Sequence, residues 1–202
     1  MKKQELKKAL KNHKTWLDSD GKEGERANLK NSNLQKTNLE NITLKKADLT
    51  EANLKEANLF IADLTEANLR RANLQGANLL RANLQGACLL DAKLEKANLY
   101  GSNLSRVDFH EAGLEYANLK RANLQNAYFY KAVLYKSDFF GANLEEASLF
   151  GACLLCANLE RANLKTTDLR DAFFKNTRVC KKNFEYLISQ GINKDGLILV
   201  GD

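Results

Sequence analysis

From Leu29 to Phe174 a large apolar residue returns at every fifth position, thirty times without an insertion. It is Leu throughout except at Phe109, Phe129, Phe139 and Phe174. A helix repeats its apolar positions every 3.6 residues and a strand every second residue, so neither element alone explains a period of five. Two residues before each of these centres stands a small residue: Ala in 23 units, Ser or Thr in five, with Ile42 and Val107 the exceptions. The residue just before the centre is Asn or Asp in 21 units, and the two after it vary and are mostly polar.

The columns assign themselves. On an extended segment, residues two apart point the same way. The centre and the small residue therefore share the interior, and the variable pair lies outside at a turn. Five residues then form one short side and one corner. Four such units close a turn of twenty residues if corners are near right angles, and successive turns stack backbone on backbone. Asn and Asp suit the position before the centre because their side chains bond nearby backbone groups in turns. Gly76, Gly86, Gly101, Gly141 and Gly151 all stand two after a centre, where a corner calls for positive φ. The complete absence of proline fits a structure whose backbone donors are all needed.

This pattern resembles the pentapeptide-repeat family, whose units read A(D/N)LXX. The resemblance covers residues 27–176 and implies an all-β solenoid, a right-handed quadrilateral parallel β-helix. Thirty units in sets of four make about 7.5 coils, a rod about 36 Å long at the spacing of a β-ladder.

A solenoid exposes apolar side chains and open backbone edges at its ends, so both flanks are expected to be caps. Residues 1–26 read as a helix over 3–17 with Leu6, Leu10 and Leu17 on one stripe and Trp16 beside it, then a loop over Asp18–Glu25. Residues 177–202 read as a short helix over Lys181–Gly191 and a strand over Leu197–Val200 after the turn signal Asp195-Gly196.

Composition narrows the function. The chain carries 31 basic and 25 acidic residues, a net charge of +6, both signs being dense. That speaks for a solvated surface rather than a clustered nucleic-acid footprint. No apolar run approaches the ~20 residues of a membrane span, and the N-terminus lacks the apolar centre of a signal peptide, so a cytoplasmic location is expected. Four irregularly spaced cysteines do not form a disulfide framework. Cys153 and Cys156 make a CxxC, but Cys88 and Cys180 supply no second pair at local spacing for zinc, and no helix N-terminus adjoins them for redox chemistry. His13 and His110 lie far apart, and acidic pairs such as Glu145-Glu146 fall in outward slots. No catalytic site, cofactor or metal is expected.

Reading outward residues twenty apart gives the faces. The position after centres 39 to 159 carries Phe60, Leu80, Tyr100 and Phe140, with Ile61 beside Phe60. A stacked apolar ladder of this kind is a candidate surface for a protein partner, Tyr100 and Phe140 being its anchors. On the face of centres 29 to 169, apolar residues concentrate in the later coils, near Tyr128, Tyr135 and Leu155. The family resemblance implies two further possibilities. One is mimicry of DNA toward DNA gyrase, which needs a strongly acidic surface; residues 27–176 hold 19 basic and 17 acidic residues and so disfavour it. The other is an end-to-end homodimer, for which Phe184, Leu187, Ile188, Leu197 and Leu199 are the candidate contacts. Lys2, Lys3, Lys7, Lys8, Lys11 and Lys14 raise nucleic-acid binding, but on a capping helix they read better as a solvated face. The expectation is a non-enzymatic scaffold for protein–protein interaction.

Overall fold

The computed structural model describes residues 3–200. Helix α1 (Lys3–Asp18) leads through a loop into the repeats, which are followed by strand β1 (Thr177–Val179), helix α2 (Lys181–Ser189), a single 3-10 turn and strand β2 (Leu197–Leu199). Among the described residues no helix is long and apolar enough to cross a membrane.

The repeats form a parallel β-solenoid. From Asn28 with Asp48 to Asn158 with Arg178, each residue before a centre pairs with the residue twenty positions on. Twenty residues, four units, thus make each turn of the ladder. The sheets are unusual in being columns of single-residue bridges; the only continuous strands among the described residues are β1 and β2. A five-residue unit explains this, because a corner consumes two residues and leaves too short an extended stretch for a longer strand.

The backbone bonding of one unit accounts for the sequence pattern. The Leu49 N–H donates to the Asn68 carbonyl of the next coil at 2.7 Å, and the Glu51 N–H to the Arg70 carbonyl at 2.9 Å. The Asn68 N–H returns a bond to the Ala47 carbonyl at 2.9 Å, and the Ala52 N–H closes the corner on the Leu49 carbonyl at 3.0 Å. That uses four of five amides. The fifth, on Thr50, donates to the Asp48 side chain at 3.0 Å. In a unit of this kind every amide is spoken for, so a Pro would remove a bond.

All thirty residues standing two after a centre have positive φ, 25 of them without being glycine. Ile61 (φ 51°) and Thr166 (φ 55°) are β-branched residues held in this left-handed region. Inside, the centres and their small partners form one continuous core, with the Phe109 and Phe129 rings stacked 4.8 Å apart and Phe139 edge-on to Phe129 at 6.2 Å.

Both ends are covered. Leu6, Ala9 and Leu10 of α1 pack against the core, and His13 beside them is fully buried. Its Nδ1 accepts the Ala27 N–H at 3.1 Å, tying helix to solenoid, and its ring stacks on Trp16. Gly24 lets the loop turn back, since a Cβ there would run into the Asn12 carbonyl. At the far end β1 continues the ladder from Asn158, and β2 adds one more parallel layer in the same twenty-residue register. Asn183 stands where a further coil would continue. Its side-chain amide donates to the Leu159 and Ala162 carbonyls, at 3.0 and 2.9 Å, in place of main-chain donors. Helix α2 ends on Gly191 (φ 84°), with the Gly191 and Ile192 amides bonded back to Ile188 and Leu187.

Candidate interaction surface

The side chain of every Asn or Asp preceding a centre accepts a hydrogen bond from the amide two residues on, in all 21 units that have one. On the face of centres 39 to 159 these side chains also bond one another between coils: Asn58 to Asn38, Asn78 to Asn58 and Asn118 to Asn98, each at 3.0 Å. That face carries the ladder expected from the sequence. Phe60, Leu80, Tyr100 and Phe140 are all half-buried on it, and Ile61 alone of the five is exposed, at 41%. Coils only about 4.8 Å apart shield each outward side chain with those above and below. The Arg161 guanidinium lies over the Phe140 ring, 5.5 Å from its centre, and a Lys120–Asp138 ion pair at 3.0 Å separates Tyr100 from Phe140.

Apart from Ile61, the exposed large apolar residues of the repeats lie elsewhere. Tyr116 (48%), Tyr128 (52%), Val133 (36%) and Phe173 (64%) sit on the two adjoining faces of centres 29 to 169 and 34 to 174, in the later coils. His110, Tyr130 and Phe150 stack along the rod beside them, with ring centres 4.6 and 5.7 Å apart. Tyr116 and Tyr135 meet edge to face at 5.5 Å. Lys136 reaches over both of those rings and Lys131 over Tyr130. The Tyr135 phenol, followed by that of Tyr116, raises the Lys136 pKa, so its ammonium stays charged. The sequence columns point to Tyr128 and Tyr135 but not to Val133 or Phe173. The signal of these two is negative: each is an apolar residue where the repeat calls for Asn or Asp.

At the C-terminal end Leu187 is fully buried, Leu197 nearly so, and Phe184 packs against the core, so these three hold the cap in place. Ile188, Ile198 and Leu199 are exposed. A cleft of about 590 Å³ opens between the last coil and α2, lined by Leu164, Lys165, Asn183 and Tyr186 among others.

The titratable groups show no convergent arrangement. Cys153 and Cys156 are half-buried free thiols, as are Cys88 and Cys180. No group of three His, Cys, Asp or Glu residues able to hold a metal occurs among the described residues. Glu145 is held below the usual carboxylate pKa by its contact with Lys165 at 2.7 Å, and Asp168 by a two-pronged contact with Arg170. Lys3, Lys7, Lys8, Lys11 and Lys14 lie on α1 and are exposed to solvent; Lys2 lies outside the described residues.

Comparison with known proteins places this architecture. The sequence profile described as pentapeptide repeats matches in eight copies over residues 25–59, 62–101, 90–126, 102–141, 117–154 and 142–179. A comparison with curated proteins gives no match. Among solved structures the chain is similar to HetL, a pentapeptide repeat protein involved in heterocyst differentiation regulation from the cyanobacterium Nostoc sp. strain PCC 7120. The two are 35% identical, over 76% of this chain and 72% of that one, with a TM-score of 0.43. It is also similar to Rfr23, a pentapeptide repeat protein of the cyanobacterium Cyanothece 51142, at 27% identity over 57% of this chain and 86% of that one, TM-score 0.33. QnrB1, a plasmid-mediated fluoroquinolone resistance protein, is 18% identical over 80% of this chain and 89% of that one, TM-score 0.45. With the repeat profile spanning most of the chain and the five-residue unit visible in its backbone bonding, this protein belongs to the pentapeptide-repeat family.

Proposed function

We propose that the protein is a non-enzymatic scaffold that binds another protein along the side of a right-handed, four-sided rod of about 7.5 coils. The observation that carries this reading is the exposed belt of Tyr116, Tyr128, Val133 and Phe173 on a backbone whose own hydrogen bonding makes it rigid. Contiguous exposed apolar residues flanked by polar ones mark partner surfaces, and aromatic residues dominate binding energy there. The ladder of Phe60, Leu80, Tyr100 and Phe140 is a second, flatter surface, and Ile188 and Leu199 supply contacts for a homodimer through the C-terminal cap. A DNA-like role toward DNA gyrase is opposed by charge, the repeats carrying 19 basic against 17 acidic residues.

The test compares three baits in native extracts by quantitative mass spectrometry, with light scattering on each. They are the wild type, Tyr128→Glu with Val133→Glu, and Leu80→Glu with Tyr100→Glu. The reading expects a protein retained by the wild type and the ladder variant and lost from the belt variant. A protein lost only from the ladder variant would move the site to that face. Equal recovery on all three would remove both faces from the account.

A further inference from the structure

Nine units lack the Asn or Asp that caps the amide two residues on, and in all nine that amide has no hydrogen-bond partner among the described residues. Eight of these amides lie on the two faces that carry the belt; the ninth is that of Lys45. Four of the eight form a compact block, two units wide and two coils high, in which Tyr128, Val133, Ser148 and Cys153 replace the usual acceptor. The uncapped donors are the amides of Tyr130, Tyr135, Phe150 and Leu155. Lys131 and Lys136 are the only charged residues in those four units, and no Asp or Glu is present there. Both lysines lie over tyrosine rings of the same units, Lys131 Nζ 5.0 Å from the centre of Tyr130 and Lys136 Nζ 5.2 Å from that of Tyr135.

This is a surface of open backbone donors and positive charge without carboxylates. We propose that the block docks an acidic segment of a partner protein. The partner's carboxylate oxygens accept from the main-chain N–H groups of Tyr130, Tyr135, Phe150 and Leu155, its charge meets Lys131 and Lys136, and its apolar side chains pack on Tyr128 and Val133. The inference rests on the scaffold reading and names the chemistry of its partner. Hydrogen bonds from backbone amides to carboxylates are about twice as strong as those to neutral acceptors. One coil earlier the chain's own carboxylates come close to an open slot, although neither Glu95 nor Glu115 closes a hydrogen bond to an uncapped amide. Gly113 also leaves its slot empty, and there a Cβ would lie 3.0 Å from Glu115 Oε2 and 3.6 Å from Glu95 Oε1. Carboxylates of the chain's own side chains therefore crowd the vacant position. A nucleic acid fits less well, because Asp108, Glu111 and Glu115 stand one coil below the block and Arg170 above it is already paired with Asp168, so a phosphate chain running along the rod meets carboxylates that a segment of a few residues confined to the block does not reach.

The test uses a fluorescein-labelled octapeptide alternating aspartate with leucine, its serine and lysine counterparts, and an oligothymidylate, each titrated into the full chain by fluorescence anisotropy and amide NMR. The aspartate peptide is expected to bind about tenfold or more tighter than the serine peptide, to weaken with salt, and to shift the four uncapped amides while leaving that of Leu80 in place. Val133→Asn with Cys153→Asn restores the repeat's own acceptor for two of the amides and is expected to lose about tenfold in affinity, with the melting temperature unchanged or raised. Equal binding of the serine or lysine peptide, tighter binding of the oligothymidylate, no binding of any peptide, or full binding by the Asn variant would each overturn the proposal. Should the Asn variant not fold, the peptide series on the wild type decides. A partner that needs Tyr128 and Val133 but has no acidic segment would keep the scaffold and overturn only this inference.

Discussion

The first sixteen repeat units, with centres 29 to 104, and the last fourteen, with centres 109 to 174, follow one backbone plan but treat their outer surface differently. Asn or Asp precedes the centre in 13 of the first sixteen and in 8 of the last fourteen. In the early coils the side chains outside the rod complete its own hydrogen bonding. In the later coils Tyr128, Val133, Cys153 and Phe173 occupy those positions, aromatic rings line the outside, and three phenylalanines enter the interior. The fold tolerates the loss because an outward amide can be served by water. The difference shows that in this architecture the interior and the ladder are kept through every coil, while the capping column is given up in places.

If that division is right, truncating the interior has a large effect in either half. Leu79→Ala and Phe129→Ala are each expected to destabilise by about 3–5 kcal/mol in chemical denaturation, both side chains being fully buried. A much smaller loss at Phe129 would mean that the later coils are loosely packed, contrary to the stacking of Phe109 on Phe129.

A smaller effect comes from exchanging the capping column between halves. Asn78→Ala removes the bond from the Leu80 amide and breaks the Asn58–Asn78 link, so a cost of about 1–2 kcal/mol is expected. The reverse change, Val133→Asn, caps an open amide and is expected to be neutral or stabilising. Denaturation midpoints that fall for both would show that Val133 contributes to the fold rather than to a surface.

The smallest effect is a pH dependence at the N-terminal cap. Burial, reinforced by the charge of Arg26, lowers the His13 pKa from its ordinary value of 6.5, and the nearby Lys45 backbone offsets this only in part. With Nδ1 accepting from Ala27, the folded state holds His13 neutral, whereas the unfolded chain takes up a proton below about 6.5. The unfolded state then binds more protons, so this contribution is complete above that pH and declines as the pH falls toward the folded value. Emission from Trp16, the only tryptophan and stacked on His13, reports the cap directly. Cap melting that moves to lower temperature between pH 7 and pH 5 in the wild type, and not in His13→Asn, is the expected result.

Much of this was legible in the sequence. The period of five placed Leu and Ala inside, and the Asn/Asp column was readable as a side chain serving nearby backbone. Five glycines hinted at positive φ at the corners, yet residues as unsuited as Ile61 and Thr166 adopt it too, because the ladder and corner bonds on both sides fix the conformation. His13 was missed as a core residue although it continues the stripe of Leu6 and Leu10; a histidine at an apolar position does not reveal that a backbone amide waits for it. The belt was only half visible. Nine departures from Asn or Asp stand in the sequence, but they become a surface only once it is known which amide each side chain would have capped, and that eight of them share two neighbouring faces. Expected exposure also misled for Phe60, Leu80, Tyr100 and Phe140, since outward direction on closely stacked coils still leaves a side chain half covered.

The most direct measurement is residue-resolved amide hydrogen exchange on the free protein. The account predicts that the amides of Tyr130, Tyr135, Phe150 and Leu155 exchange far faster than those of Phe60, Leu80 and Tyr100, which are bonded to Asn58, Asn78 and Asn98, although all seven residues are half-buried. Equal protection in the two sets would mean that the donors of the belt are already closed, and the distinction between a self-capped half and an open one would fail.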